Sequence, residues 1–340
     1  MKTTSFVQSI IIAGILATSL VEAQDTHFTN QVMFPVYYNP AACGTGGDIR
    51  GIIGYRNQWG FLSSPFKTMG LSVDGKAYTS SKGHFLSAGL LFFNDRVGSV
   101  NLKNNQFSIN LAYHLKLKNG SIGLGIYGGG MQRTIDFGQA KWASQYDGKD
   151  FNDALPSYES ITNTGFFAMD AGTGVMYIYE SDDVYEAGKK FFKMHVGYSV
   201  FHANRPYANY LKDGNYRISV RNAIYVASSF AFNNLPLLFE PNLIINYQSP
   251  YAEVMYGLNA KYVLKGEQEG KDLTIGAGAI VRNEDAISPL FYLEYMNASL
   301  GLNYDINAFG INKTIKTKGA MEIILRYVFN KKKEASQASY

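Results

Sequence analysis

This 340-residue chain has one thiol, Cys43. That excludes an internal disulfide framework and any metal site built from several cysteines. A lone cysteine of this kind is expected as a small buried hydrophobe. Charge is also scarce: 17% of the residues are charged, against about a quarter in an ordinary soluble domain. Lys+Arg 31 against Asp+Glu 27 leaves a balance of +4, too small to mark a nucleic-acid or polyanion binder. Proline is sparse, with Pro 9 in the whole chain, so long uninterrupted elements are possible. Past the N-terminal segment no apolar run approaches about 20 residues, which excludes a transmembrane helix. The histidines His27, His84, His114, His195 and His202 show neither HExxH nor another paired zinc spacing. No metal and no cofactor are expected.

Aromatics and glycine are abundant: Gly 34, Tyr 25 and Phe 22. Few charges with many aromatics and glycines suit β-structure with a large apolar exterior. Lys2 precedes an apolar run from Phe6 to Val21, closed by Val21-Glu22-Ala23. That is the layout of a secretory signal peptide, residues 1–23, with cleavage expected after Ala23.

The repeated signal is alternation at period two, the mark of a strand with two unlike faces. Phe107, Ile109, Leu111, Tyr113, Leu115 and Leu117 share one face; Ser108, Asn110, Ala112, His114 and Lys116 share the other. Val254 to Leu264 and Met321 to Phe329 repeat the pattern. There are about fourteen such stretches, each near ten residues, the length of a tilted membrane-spanning strand. They fall at 49–59, 66–78, 84–94, 106–117, 120–135, 164–179, 190–202, 216–232, 237–248, 252–264, 272–283, 288–296, 298–308 and 319–329. Breakers such as Lys118-Asn-Gly120 and Lys212-Asp-Gly-Asn215 separate them. The longest connections are expected at 136–163 and 180–189.

A soluble sandwich would also alternate, but its outer face would be rich in Lys, Glu and Thr. Here the face opposite the apolar one is Gly, Ser, Asn and Ala with sparse charge, as in Gly123, Gly125, Gly301 and Asn303. That fits an all-β, closed antiparallel transmembrane β-barrel with a polar, crowded interior. Closure also removes the edges of so many long strands. The expected organisation is a signal peptide (1–23), an irregular N-terminal segment packed on the barrel (24–48), the barrel (49–329) and a polar tail (330–340). Phe28, Phe34, Tyr37 and Tyr38 make the irregular segment too apolar for a solvated tail. Gly123, Gly125 and Gly128 to Gly130 lack the following Lys-Ser/Thr of a phosphate loop. They suit strand curvature or the close approach of an inserted segment. Asp95, Arg96, Arg221, Arg282, Asp305, Glu322 and Arg326 are candidate lumenal or rim charges, more plausible as a structural ladder than as a selectivity lining. His114 faces the lumen and, with Ser108 or Ser121, is the nearest approach to a hydrolase constellation. The plainer reading is a hydrogen-bonded lumenal residue.

Several motifs carry a family resemblance. Asp25-Thr-His-Phe28, Tyr38-Asn-Pro-Ala-Ala42 with Gly44, and Tyr55-Arg-Asn-Gln-Trp59 resemble the opening of the PorP/SprF family. Its members are outer-membrane proteins of the type IX secretion and gliding systems of Bacteroidota. Phe93-Asn-Asp-Arg-Val-Gly98, His202-Ala-Asn-Arg-Pro206, Ile275-Gly-Ala-Gly-Ala279, Leu302-Asn-Tyr-Asp305 and Met321-Glu-Ile323 are similar to its later segments. Lys318-Gly-Ala-Met321 departs from the family's usual glycine-serine-histidine before that glutamate. The resemblance implies an outer-membrane, non-enzymatic component of type IX secretion. It would anchor or help export a secreted cell-surface protein, a gliding adhesin being one such cargo. Implied partners are secretion-machinery proteins at the periplasmic face, the secreted adhesin or its C-terminal domain at the surface, and outer-membrane lipid, with no nucleic acid. The residues expected to pack and dock are Asp25, His27, Phe28, Asn39, Pro40, Tyr55, Arg56, Asn57 and Trp59. A passive porin is the alternative.

Overall fold

The computed structural model describes residues 28–61, 65–98, 101–136, 142–158, 164–181, 189–209, 215–264, 272–308 and 318–330. The expected signal peptide, Asp25, His27 and the tail from 331 lie outside the described residues.

The fourteen strands are β1 (Ile49–Gln58), β2 (Phe66–Thr79), β3 (Phe85–Val97), β4 (Leu102–Leu117), β5 (Gly120–Thr134), β6 (Gly165–Glu180), β7 (Phe191–Phe201), β8 (Arg221–Ala231), β9 (Leu237–Gln248), β10 (Tyr251–Leu264), β11 (Leu273–Arg282), β12 (Ala286–Tyr295), β13 (Ala298–Asn307) and β14 (Lys318–Phe329). Each pairs antiparallel with its sequence neighbours, and β14 closes on β1 from Ile49↔Phe329 to Gln58↔Ala320. Closure satisfies the backbone of every strand without water, the condition a bilayer imposes.

The alternation in sequence becomes inside and outside. Phe107, Ile109, Leu111, Tyr113 and Leu115 are exposed on the outer face of β4, while Asn110, Ala112 and His114 are buried behind them. The same division runs round the barrel through Leu124 and Ile126 on β5, Tyr256 and Leu258 on β10, and Leu325 and Tyr327 on β14. No helix among the described residues is long and apolar enough to cross a membrane; the outward stripes face the bilayer instead.

Two findings differ from the sequence reading. The second long connection is 202–220, not 180–189, because β8 begins at Arg221 and the preceding residues form a small loop bridge, Tyr207↔Arg217. The long connections 135–164 and 202–220 thus share one end of the barrel, opposite Ile49 and Phe329. Longer loops mark the extracellular end of such barrels, so the chain enters and leaves at the periplasmic end. The second difference is the lumen, which is not uniformly polar. Its wall contributes Ile52, Phe93, Met176, Ile244, Met255, Ile280 and Ile324 to the main hydrophobic cluster. What they pack against is the segment that precedes β1.

Candidate functional site: a plug clamped in the lumen

Residues 28–44 lie inside the barrel, and 45–48 lead from them to β1 at the rim. The fold of this segment follows from its prolines. Pro35 opens a single helical turn, α1 (Pro35–Tyr38), and Pro40 opens a 3-10 turn, Pro40–Ala42. Proline suits the first position of a turn, where its missing N–H costs nothing. Asn39 caps the second turn by accepting the Ala41 amide at 2.8 Å. Phe28 stacks on Phe34 at 4.9 Å, and both lean on Phe93 of β3 at 5.7 Å. Phe28, Phe34, Tyr37 and Tyr38 are each at most 4% exposed. Burial of each contributes about 1.5–3 kcal/mol.

Polar contacts hold the plug at three heights. Towards the extracellular side, Thr29 sits among four charged side chains from four strands. Its hydroxyl donates to Asp305 Oδ2 at 3.0 Å and accepts from Arg56 Nη1 at 2.9 Å and Arg282 Nη1 at 2.8 Å. Glu322 accepts the amides of Thr29 at 2.6 Å and Asn30 at 3.1 Å, and pairs with Arg56. Asp305 bridges Arg56 at 2.8 Å and Arg282 at 3.1 Å. Arg56, Arg282, Asp305 and Glu322 are all buried, so each depends on the others for compensation.

Midway, Asn39 Nδ2 donates to the carbonyls of Val175 (2.9 Å) and Tyr198 (3.4 Å), and Ser199 Oγ donates to the Tyr38 carbonyl at 2.6 Å. At the periplasmic end, Arg50 grips Asp74 through two bonds of 2.9 Å. Asp74 accepts the Gly44 amide at 2.7 Å, while Arg50 donates to the Ala42 carbonyl at 3.2 Å.

The wall is cut to receive this segment. A Cβ on Gly125 of β5 would lie 2.3 Å from the Ala41 nitrogen and 2.5 Å from the Pro40 carbonyl carbon. Cβ atoms on Gly174 and Gly197 would strike the Asn39 amide at 2.3 and 2.5 Å. Gly125→Val therefore keeps the strand but displaces the plug backbone, at about the 1–3 kcal/mol of an overpacked core or more. Cys43 reports the outcome. It is fully buried, so the parent should resist a maleimide until unfolded, whereas Gly125→Val should label in the folded barrel. Equal resistance in the two would show that the plug tolerates the clash.

The residues expected from sequence are spread by the structure. Phe28, Asn39, Pro40 and Arg56 are buried in the lumen. Tyr55 and Asn57, one residue on either side of Arg56, point to the outer face and are half-buried. Trp59 follows β1 at the extracellular rim with φ 53°, its ring 4.9 Å from Phe66. Sequence reasoning placed Arg282, Asp305 and Glu322 among lumenal charges but missed Arg50, Asp74 and Thr29. Arg50 and Asp74 carry the signal of charge at lumen-facing positions of β1 and β2.

Among the described residues, open space borders the plug on both its extracellular and its periplasmic side. The extracellular space is open to solvent and lined by Tyr37, Phe93, Ser108, Tyr127, Asp170, His202 and Arg221 among others. There His202 Nδ1 meets Asp170 at 2.9 Å, and the Tyr127 hydroxyl donates to the same carboxylate at 2.9 Å. Ser108 in that wall accepts from Asn110 at 3.1 Å. His114, six residues along β4 from Ser108, is about 20 Å away at the strand rise of roughly 3.3 Å; its ring stacks on Phe85 at 4.3 Å. The periplasmic space is lined by Arg50, Lys193, His195, Glu240, Asn242 and Arg326 among others. Among the described residues no cluster could hold a metal ion.

The family model described as type IX secretion system membrane protein PorP/SprF matches residues 20–327. No curated protein matches the chain. Among solved structures, BamA from Haemophilus ducreyi lacking POTRA domains 1-3 is similar at 10% identity, over 84% of this chain and 70% of that one, with a TM-score of 0.43. The TodX deltaS2S3 mutant, a monoaromatic hydrocarbon channel, is similar at 9% identity over 86% of this chain and 93% of that one, with a TM-score of 0.44.

Proposed function

The chain belongs to the PorP/SprF family of type IX secretion system membrane proteins, and from that premise we propose that it works as a plugged platform and not as a pore or a catalyst. It is an outer-membrane β-barrel component of type IX secretion. In the proposed role it anchors or helps export a secreted cell-surface protein, a gliding adhesin or its C-terminal domain, on the extracellular side. It docks secretion-machinery subunits on the periplasmic side.

The observation that supports this reading is the clamped plug. A segment held by the Arg56–Arg282–Asp305–Glu322 cluster above and by Arg50–Asp74 below stiffens the barrel and obstructs the path a passive porin needs. Of the proposed docking residues, Phe28, Asn39, Pro40 and Arg56 act by shaping the platform from within. Tyr55, Asn57 and Trp59 are placed to meet a neighbour at the extracellular end of β1; Asp25 and His27 complete the proposed set.

Deletion of residues 25–44 tests this directly. The barrel should still insert and migrate with heat-dependent mobility on gels. It should lose its co-purifying machinery subunits from detergent extracts and cease to support cargo export. Retention of partners and export by the deletion, or porin-scale conductance of the intact protein in planar bilayers, would overturn the platform reading.

A further inference from the structure

Three cations gather on the outer face of the barrel at the extracellular rim of β2, β3 and β4. Lys67 on β2 lies directly opposite Arg96 on β3, and Arg96 directly opposite Lys103 on β4. All three side chains occupy outward positions, in line with Met69 and Leu71, with Phe92, and with Phe107 and Ile109. Lys67 and Arg96 are exposed and Lys103 is half-buried. Adjacent strands are about 4.8 Å apart, so three cations fall within roughly 10 Å. Like charges directly opposite one another destabilise a sheet. The acid beside them, Asp95, is turned inward, where it accepts from Thr68 Oγ1 at 2.7 Å. No ion pair of the described residues engages Lys67, Arg96 or Lys103.

The rows beneath complete a vertical gradient. One step towards the bilayer centre, Asn94 Nδ2 donates to Asn105 Oδ1 at 2.6 Å, with Gln132 opposite Asn105. One step further, Phe92 faces Phe107, and Phe107 stacks on Phe167 at 6.3 Å. Aromatic rings, then side-chain amides, then cations is the order of groups along an amide-bearing, phosphorylated lipid that stands in the outer leaflet. At the same end of β1, β8 and β12 the outward positions carry the neutral groups Asn57, Asn222 and Ile287.

We propose that the outer rim of β2, β3 and β4 binds the phosphorylated headgroup of an outer-leaflet glycolipid of the lipid A class. Lys67, Arg96 and Lys103 neutralise its phosphate, and Asn94, Asn105 and Gln132 meet its amide and hydroxyl groups. Such a lipid relieves the repulsion within the row and fixes the barrel's depth and rotation in the membrane.

The test is titration of the purified full-length protein, in phosphatidylcholine nanodiscs, with lipid A and with its dephosphorylated form, read by native mass spectrometry. A juxtamembrane cation contributes a factor of about five. Lys67→Gln, Arg96→Gln and Lys103→Gln should therefore each weaken lipid A binding about fivefold, and the triple variant about a hundredfold. Lys82→Gln with Lys118→Gln, at the opposite end, should bind as the parent does. The dephosphorylated lipid should bind the parent about as weakly as lipid A binds the triple variant. Inorganic phosphate should not displace the lipid. Equal binding by the single variants, no preference for the phosphorylated form, loss caused by the Lys82 and Lys118 changes, or displacement by inorganic phosphate would each overturn the proposal.

Discussion

Arg56→Met is expected to destabilise the barrel by about 3–5 kcal/mol, the cost of removing one partner from a buried ionic cluster. In the parent, Arg56 and Arg282 face Asp305 and Glu322 around the Thr29 hydroxyl. Without Arg56, Arg282 alone must compensate two buried carboxylates, while the Thr29 and Asn30 amides still bind Glu322. The loss should appear as a lower urea midpoint for the heat-modifiable folded band. It should also expose Cys43 to alkylation as the upper clamp slackens. Adding Glu322→Gln removes the stranded charge and keeps an acceptor for the amides. Arg282 then pairs with Asp305 in the lumen and with the half-exposed Asp285, and no buried carboxylate is left without a cation, so the double variant should be more stable than Arg56→Met alone. Neighbours in one network couple by about 0.5–3 kcal/mol. A double variant whose cost is the simple sum of the two singles would show that the four groups do not act as a unit.

Leu111→Arg should cost roughly 2–4 kcal/mol, because Leu111 lies on the outer face near the middle of β4, where a cation meets hydrocarbon. Its cross-strand neighbours are Ala88 and Ile126, which offer the guanidinium no partner. Leu117→Arg, on the same face at the strand end, should cost about 0–1 kcal/mol because the side chain reaches the interface. Refolding into bilayers, followed by urea titration, compares the two. Equal costs would place the hydrocarbon layer elsewhere on the barrel. Alternation alone would make Asn110→Arg, one residue away on the lumenal face, another inexpensive change. The plug removes that expectation: Asn110 is 2% exposed, so an arginine there must displace neighbours or enter the space already bordered by Arg221.

Much of the architecture was open to a sequence reader because strand periodicity is local. The two faces of a strand need only its own residues, so Phe107 to Leu117 declared an apolar stripe before any partner strand was known. Strand boundaries came close for the same reason. They failed where local pattern and hydrogen bonding part, as before β8, where residues 216–220 look strand-like but β8 begins at Arg221. The plug was half-legible. Its aromatics announced burial, and Gly125 on a lumenal face hinted at a close approach. Which residues meet was not readable, because every clamp joins distant parts of the chain. Arg56 and Glu322 are separated by 266 positions, and Thr29 and Arg282 by 253.

By itself, then, the sequence determined the class of wall, the number and faces of its strands and the need to bury the segment before β1. Burial of alternating apolar side chains and the cost of leaving Phe28, Phe34, Tyr37 and Tyr38 in water are properties of the residues themselves. Closure of the barrel decided the rest. Only when β14 meets β1 do Arg56, Arg282, Asp305 and Glu322 converge on Thr29. Only the register between β2, β3 and β4 sets Lys67, Arg96 and Lys103 side by side, because a charge acquires a neighbour across a sheet through pairing and not through its place in the chain.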